Sequence, residues 1–181
     1  MRVLRIIFFS ITAVLISIST GLAGELQVGD QAPDFRLPFA SPDTINFDGI
    51  QLSDFRGKSN VIVAFYPADW SPGCTTEMCN LRDNFTALSQ LNAQILGISG
   101  DYVFSHKAWI KHHGIQFRLL SDHLHKVAQM YNSYRPDVGM NKRTVYLIDK
   151  QGNIVYKNMD YTAGNAQDFQ DLKSHLAALN K

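Results

Sequence analysis

"NVIVAFYPADWSPGCTTEMC", residues 60 to 79, changes character at its middle. Asn60 to Tyr66 is a continuous apolar run of strand length, rich in Val and Ile. Such a run suits a strand buried on both faces. From Cys74 onward the period is different. Met78, Leu81, Phe85, Leu88 and Leu91 recur at steps of three and four, one stripe of an amphipathic helix. Ser71 stands before that helix as its N-cap, and Pro72 takes the first helical position. The stretch therefore predicts a buried strand, a short loop and a helix, with both cysteines of the chain, Cys74 and Cys79, on the helix.

Outward from this unit, the pattern repeats. Gln94 to Ser99 reads as a second apolar strand, and Phe104 to His113 as a helix ended by Gly114. Phe117 to Leu120 is a short strand, and His123 to Tyr131 a further helix. Thr144 to Ile148 is a strand. The turn at residues 150–153 leads into Ile154 to Lys157, which makes a hairpin. Phe169, Leu172, Leu176 and Leu179 mark a closing amphipathic helix. Upstream, Glu25 to Asp54 contains Pro33, Pro38 and Pro42 and reads as loops with short strands. Alternating strands and helices argue for a central α/β sheet. The terminal hairpin argues that the sheet is mixed. The order fits a thioredoxin-like fold, a central mixed sheet flanked by helices.

The bulk numbers narrow the function classes. The chain has 181 residues, enough for one domain, and 45% of them are hydrophobic, enough for a core. Its net charge of +1 leaves no basic footprint for nucleic acid. Residues 1–23 differ from the rest. Arg2 and Arg5 form a positive start, Ile6 to Ile18 is almost wholly apolar, and Gly21-Leu22-Ala23 offers small residues for cleavage. This is the layout of a secretory signal peptide cut near Ala23, and the apolar run is shorter than the roughly 20 residues of a bilayer span. An uncleaved anchor is the other reading. The exported domain would then cover residues 24–181, with 15 basic against 16 acidic residues and a net charge of −1. Export, most simply to a periplasm, places the two thiols where disulfides can form.

Cys74 falls in the first turn of the predicted helix. Unpaired backbone N–H groups and the helix dipole favour negative charge there, and the thiolate is the reactive form of cysteine. Pro72 and Gly73 allow a sharp turn and a close approach to a small substrate. Cys79 is five residues on, an advance of about 7.5 Å and a rotation of about 140°, which sets the two Cα atoms roughly 8.6 Å apart. A disulfide wants about 4.4–6.8 Å. The pair cannot close while the helix is intact. Two readings follow: an attacking and a resolving thiol that meet when the first turns unwind, or two free thiols with one packed in the core.

At this point the sequence resembles the peroxiredoxins, and within them the bacterioferritin comigratory protein, or peroxiredoxin Q, branch. The family pattern Pro-x-x-x-Thr/Ser-x-x-Cys is filled by Pro67, Ser71 and Cys74. Cys79 matches the branch's second cysteine. "RTVYLID", Arg143 to Asp149, resembles the segment whose arginine returns to the active site. "VGDQAPDFRLP" and "LSDFRGKSNVIVAFYP" match the usual opening. The resemblance implies a thiol peroxidase for hydrogen peroxide and organic hydroperoxides, with no cofactor and a monomeric state. Cys74 would attack the peroxide and become a sulfenic acid. Arg143 and the Ser71 hydroxyl would orient the peroxide, and Pro67 would shield the site. Cys79 would resolve the sulfenic acid as an intramolecular disulfide, and thioredoxin, a thioredoxin-like protein or another dithiol reductant would reopen it. Ser71 stands where Thr is commoner, which keeps the hydroxyl. Export departs from the cytosolic habit of many members and leaves the reductant open.

Two other classes compete. An exported thioredoxin-like copper chaperone would use the thiols and histidines as ligands, but it normally brings its cysteines four apart on one helix face. A general disulfide oxidoreductase would carry CxxC, and the chain lacks it. The six histidines read as surface residues, since His112 and His113 are adjacent and His123 and His125 are two apart. Glu77 reads as a helix-stabilising carboxylate in the first turns. Trp70 reads as packing against the loop, with substrate contact as the other option.

Overall fold

The structure is a computed structural model and describes residues 24–180. The expected leader, residues 1–23, lies outside the described residues. In chain order the elements are β1 (Arg36–Ala40), β2 (Ile45–Gln51), a 3-10 turn at Leu52–Phe55, β3 (Asn60–Phe65), α1 (Pro72–Asp83), α2 (Phe85–Gln90), β4 (Ala93–Ser99), α3 (Val103–His113), β5 (Arg118–Ser121), α4 (Lys126–Met130), the two-residue strands β6 (Tyr134–Arg135) and β7 (Met140–Asn141), β8 (Thr144–Ile148), β9 (Ile154–Asn158) and α5 (Ala166–Ala178).

The apolar run at residue 60 becomes β3, with every side chain buried. Its alternate residues serve two cores. Ile62 and Ala64, with Tyr66 just beyond the strand, pack under α1, α2, α3 and α5 on one face. Val61, Val63 and Phe65 join Phe35, Leu52, Tyr131 and Tyr146 on the other. Burial on both faces is why the strand shows no polar alternation. Each fully buried Val or Ile contributes about 1.5–3 kcal/mol, so β3 anchors the sheet.

β3 runs parallel to β4 and antiparallel to β8, and β4 runs parallel to β5. β8 turns back into β9 as the expected hairpin. The hairpin β1–β2 completes the other side, with β1 antiparallel to β5. The result is a mixed seven-stranded sheet in the order β2-β1-β5-β4-β3-β8-β9, flanked by helices, a thioredoxin-like fold. α3 stops as its sequence indicates: Gly114 takes a left-handed φ of 65° and donates its N–H to Ile110 O.

Two local readings need correction. The stripe from Met78 to Leu91 is carried by two helices, because Asn84 leaves helical geometry and donates its side-chain amide to Asn80 O at 2.9 Å. Phe85 and Leu91 still pack against the same core. The helix expected over His123 to Tyr131 is only α4, since His125 is left-handed with φ 53° and Asp122 takes the amide of Ala128. β6 and β7 form a small separate hairpin in a stretch with no periodic signal.

Candidate active site

α1 starts as its sequence requires. Ser71 is the N-cap with extended backbone, its Oγ accepts the N–H of Cys74 at 3.4 Å, and Pro72 follows at the first helical position. Cys74 is fully buried in the first turn, a free thiol turned toward the sheet. The partner that meets it comes from β8. Phe65 pairs with Thr144 across the β3–β8 ladder, so Arg143 stands level with the end of β3, where the loop to α1 begins. Arg143 Nη2 donates to Cys74 Sγ at 3.4 Å. Its other terminal nitrogen, Nη1, donates to Glu77 Oε2.

Glu77, read from its position as a helix-stabilising carboxylate, is instead drawn into the site by Arg143. It is 1% exposed, and its Oε1 has no hydrogen-bond partner. Burial pushes its carboxyl up to about 7 in spite of the opposing pull of Arg143. Burial works against the Arg143 charge too, but Glu77 and Cys74 outweigh it and hold the guanidinium above its ordinary value. The close approach at this position belongs to the guanidinium: a Cβ on Gly73 would lie 3.2 Å from Arg143 Nη2.

The loop from Tyr66 to Ser71 is fastened from beneath. The Tyr66 hydroxyl donates to Asp69 Oδ1 at 2.8 Å. Asp69 Oδ2 accepts from Ser105 Oγ at 2.7 Å and faces His106 Nδ1 at 2.9 Å. The Asp69 amide donates to Asp101 Oδ2 at 2.8 Å. Burial, then the Asp69 charge, holds the Tyr66 phenol well above its ordinary value, so it serves as a donor. His106 is wholly buried, which corrects the reading of the histidines as surface residues. Pro67 lies half-buried in this loop. Trp70 is 51% exposed, takes a left-handed φ of 62°, and donates Nε1 to Ser105 Oγ at 3.2 Å. Its polar contact is with α3.

Cys79 sits apart on the unbroken α1, a half-buried free thiol. Its Sγ is 4.0 Å from His113 Nδ1 at the end of α3. Arg82 Nη1 donates to His113 O at 2.6 Å and ties the two helices together. The fold thus brings Cys74, Ser71 and Arg143 together, keeps Pro67 in the adjoining loop, and leaves Cys79 on another face of the helix. Among the described residues no group of three or more His, Cys, Asp or Glu side chains is poised for a metal ion.

Glu77 and the pair Asp69–His106 escaped the sequence reading as site residues. Glu77 is three residues after Cys74, so helical spacing already put it on the same face. Nothing local joins Asp69 to His106, which are 37 positions apart. Chemically, a fixed guanidinium facing a buried thiol can stabilise negative charge on the sulfur or on an oxygen that develops charge beside it.

The sequence model of the AhpC/TSA family matches residues 28–157. Peroxiredoxin Bcp of Bacillus subtilis is 32% identical over 158 residues, 81% of this chain and 97% of that protein. The chloroplastic peroxiredoxin Q of Triticum aestivum is 37% identical over 140 residues, 76% of this chain and 62% of the relative. Among solved structures, the reduced 2-Cys peroxiredoxin of Plasmodium vivax superposes with a TM-score of 0.76 at 27% identity, covering 84% of this chain and 81% of that one. Peroxidoxin BcpB from Mycobacterium tuberculosis gives a TM-score of 0.75 at 26% identity, covering 87% of this chain and 100% of that one.

Proposed function

The chain belongs to the AhpC/TSA family, in its Bcp and peroxiredoxin Q branch, and on that premise we propose that it is a thiol peroxidase in which Cys74 reduces hydrogen peroxide and organic hydroperoxides. The thiolate of Cys74 attacks the terminal peroxide oxygen. The O–O bond breaks, Cys74 becomes a sulfenic acid, and the leaving oxygen departs as water or an alcohol after protonation. Cys79 then attacks the sulfenic sulfur, expels water and forms an intramolecular disulfide. A dithiol reductant, thioredoxin-like or other, reopens that disulfide by exchange.

The contact of Arg143 Nη2 with Cys74 Sγ carries this reading. A permanently charged donor held against a buried thiol favours the thiolate and meets the negative charge that develops on the leaving oxygen. Ser71 caps the helix at rest, and its hydroxyl adjoins the sulfur's own amide, where it can also donate to peroxide. Pro67 limits water in the loop above. The copper-chaperone alternative gains no support from the two thiols, which an intact α1 keeps on different faces. In this proposal residues 1–23 are an export leader removed near Ala23, the working domain is 24–181, and the protein acts as a monomer, the simplest unit that contains both thiols, outside the cytoplasm.

Intact mass after one equivalent of hydrogen peroxide tests the roles. The wild type should lose two hydrogens, Cys79→Ser should gain one oxygen at Cys74, and Cys74→Ser should stay unchanged. Peroxide consumption that survives Cys74→Ser would sink the assignment.

A further inference from the structure

Among the described residues, His113 is the histidine that touches a cysteine. Its Nδ1 lies 4.0 Å from Cys79 Sγ, within reach of a hydrogen bond to sulfur. The contact is braced, because Arg82, three residues beyond Cys79 on α1, donates to the backbone oxygen of His113 at 2.6 Å. The ring is also packed: Trp109 meets it edge-on at 5.8 Å, His112 at 4.6 Å, and Trp70 lies at 6.3 Å. The titratable and charged groups around it are His112 on α3 and Arg82 and Cys79 on α1, with Asp83 paired to Arg82. Burial, His112 and Arg82 all hold the imidazole below its ordinary value, so near neutral pH it is uncharged, and in the tautomer protonated on Nε2 its Nδ1 accepts.

The geometry points to His113 as the general base of the resolving step, taking the Cys79 thiol proton on Nδ1 as Cys79 attacks the sulfenic acid of Cys74. This rests on the peroxidase reading above. The step balances within the protein. The Cys79 sulfur forms the S–S bond and is oxidised, and the Cys74 sulfur is reduced as its S–O bond breaks. Hydroxide leaves and receives the proton from His113 as water. The Arg82 tie keeps the base beside Cys79 while the first turns of α1 unwind to deliver Cys74.

An ordinary thiol is about 3% ionised near pH 7, so a base that removes its proton can contribute up to about thirtyfold there, and little above about pH 9. The test mixes the reduced protein rapidly with one equivalent of hydrogen peroxide. Sulfenic acid and disulfide are followed by quenched-flow mass measurement for wild type, His113→Gln and His113→Ala across pH. Slower resolution by about tenfold near neutral pH is expected in both variants, with sulfenic acid accumulating. The deficit should shrink as pH rises, and added imidazole should restore His113→Ala. Wild-type resolution in the variants would overturn the proposal, as would a deficit that neither pH nor imidazole relieves, which marks a packing role. A wild type that forms neither sulfenic acid nor disulfide would instead overturn the peroxidase reading.

Discussion

Arg143 divides one guanidinium between two anions-in-waiting, the Cys74 thiol and the Glu77 carboxyl. A buried carboxyl with one orphaned oxygen resists ionisation, and its folded value is about 7 against an ordinary 4.5. Raised in the fold, such a group binds more protons in the native state. Its contribution to stability is fully present below pH 4.5 and is lost as pH rises through about 7. The size is about 3 kcal/mol. Urea unfolding from pH 4.5 to 8 should show that decline in the wild type and a flatter line in Glu77→Gln. Equal slopes would mean that Arg143 keeps Glu77 ionised throughout. At Gly73 the same guanidinium sets a steric limit. Gly73→Ala should displace Nη2 by a few tenths of an ångström and lower kcat/KM for peroxide about tenfold, a loss of about 1.4 kcal/mol in transition-state stabilisation. An unchanged kcat/KM would show that the arginine can give way without cost.

α1 is the element that must move. Its hydrogen bonds keep Cys74 and Cys79 about 8.6 Å apart by Cα in regular geometry, beyond the reach of a disulfide. The amide of Thr75 donates to Ser71 O at 2.9 Å and closes the first turn. Oxidation of the pair should therefore open the turns from Pro72 to Cys79 and speed amide exchange there by about tenfold or more, since each backbone bond lost is worth about 1 kcal/mol. Exchange in β3, buried on both faces, should stay as it was. A disulfide form with α1 still protected would contradict the unwinding. The apolar stripe that announced this helix was legible because burial repeats at 3.6 residues, and Met78, Leu81 and Leu88 are all buried. The break at Asn84 was not, because a side-chain bond to Asn80 leaves that period undisturbed.

At the scale of the molecule, chain ends and distant strands are drawn together by the sheet. The segment before β1 is sewn to the β8–β9 hairpin: Gly29 N–H donates to Ile154 O at 2.8 Å, Ile154 N–H to Asp30 O at 2.9 Å, and Ala32 N–H to Gly152 O at 2.9 Å. A chain starting at Gly24 keeps all three bonds and should melt within about 2 °C of the full chain. One starting at Gln31 loses two of them, about 2 kcal/mol, and should melt about 6 °C lower. Equal melting of both would show that this edge adds nothing to the fold. Strand order likewise decides the site, since β8 lies beside β3 and so brings Arg143 to a thiol 69 positions earlier.

By itself the sequence determined the elements and the start of the reactive helix. The run at β3, the cap Ser71-Pro72, the stop at Gly114 and the β8–β9 turn each depend on residues a few positions apart, and short-range sterics and periodicity encode them directly. Only the tertiary structure decided that Glu77 shares Arg143 with Cys74, that His106 is buried against Asp69, and that His113 stands beside Cys79. Those contacts join residues 34 to 69 positions apart. They follow from which strands are neighbours and which faces are buried, and no local period carries that information.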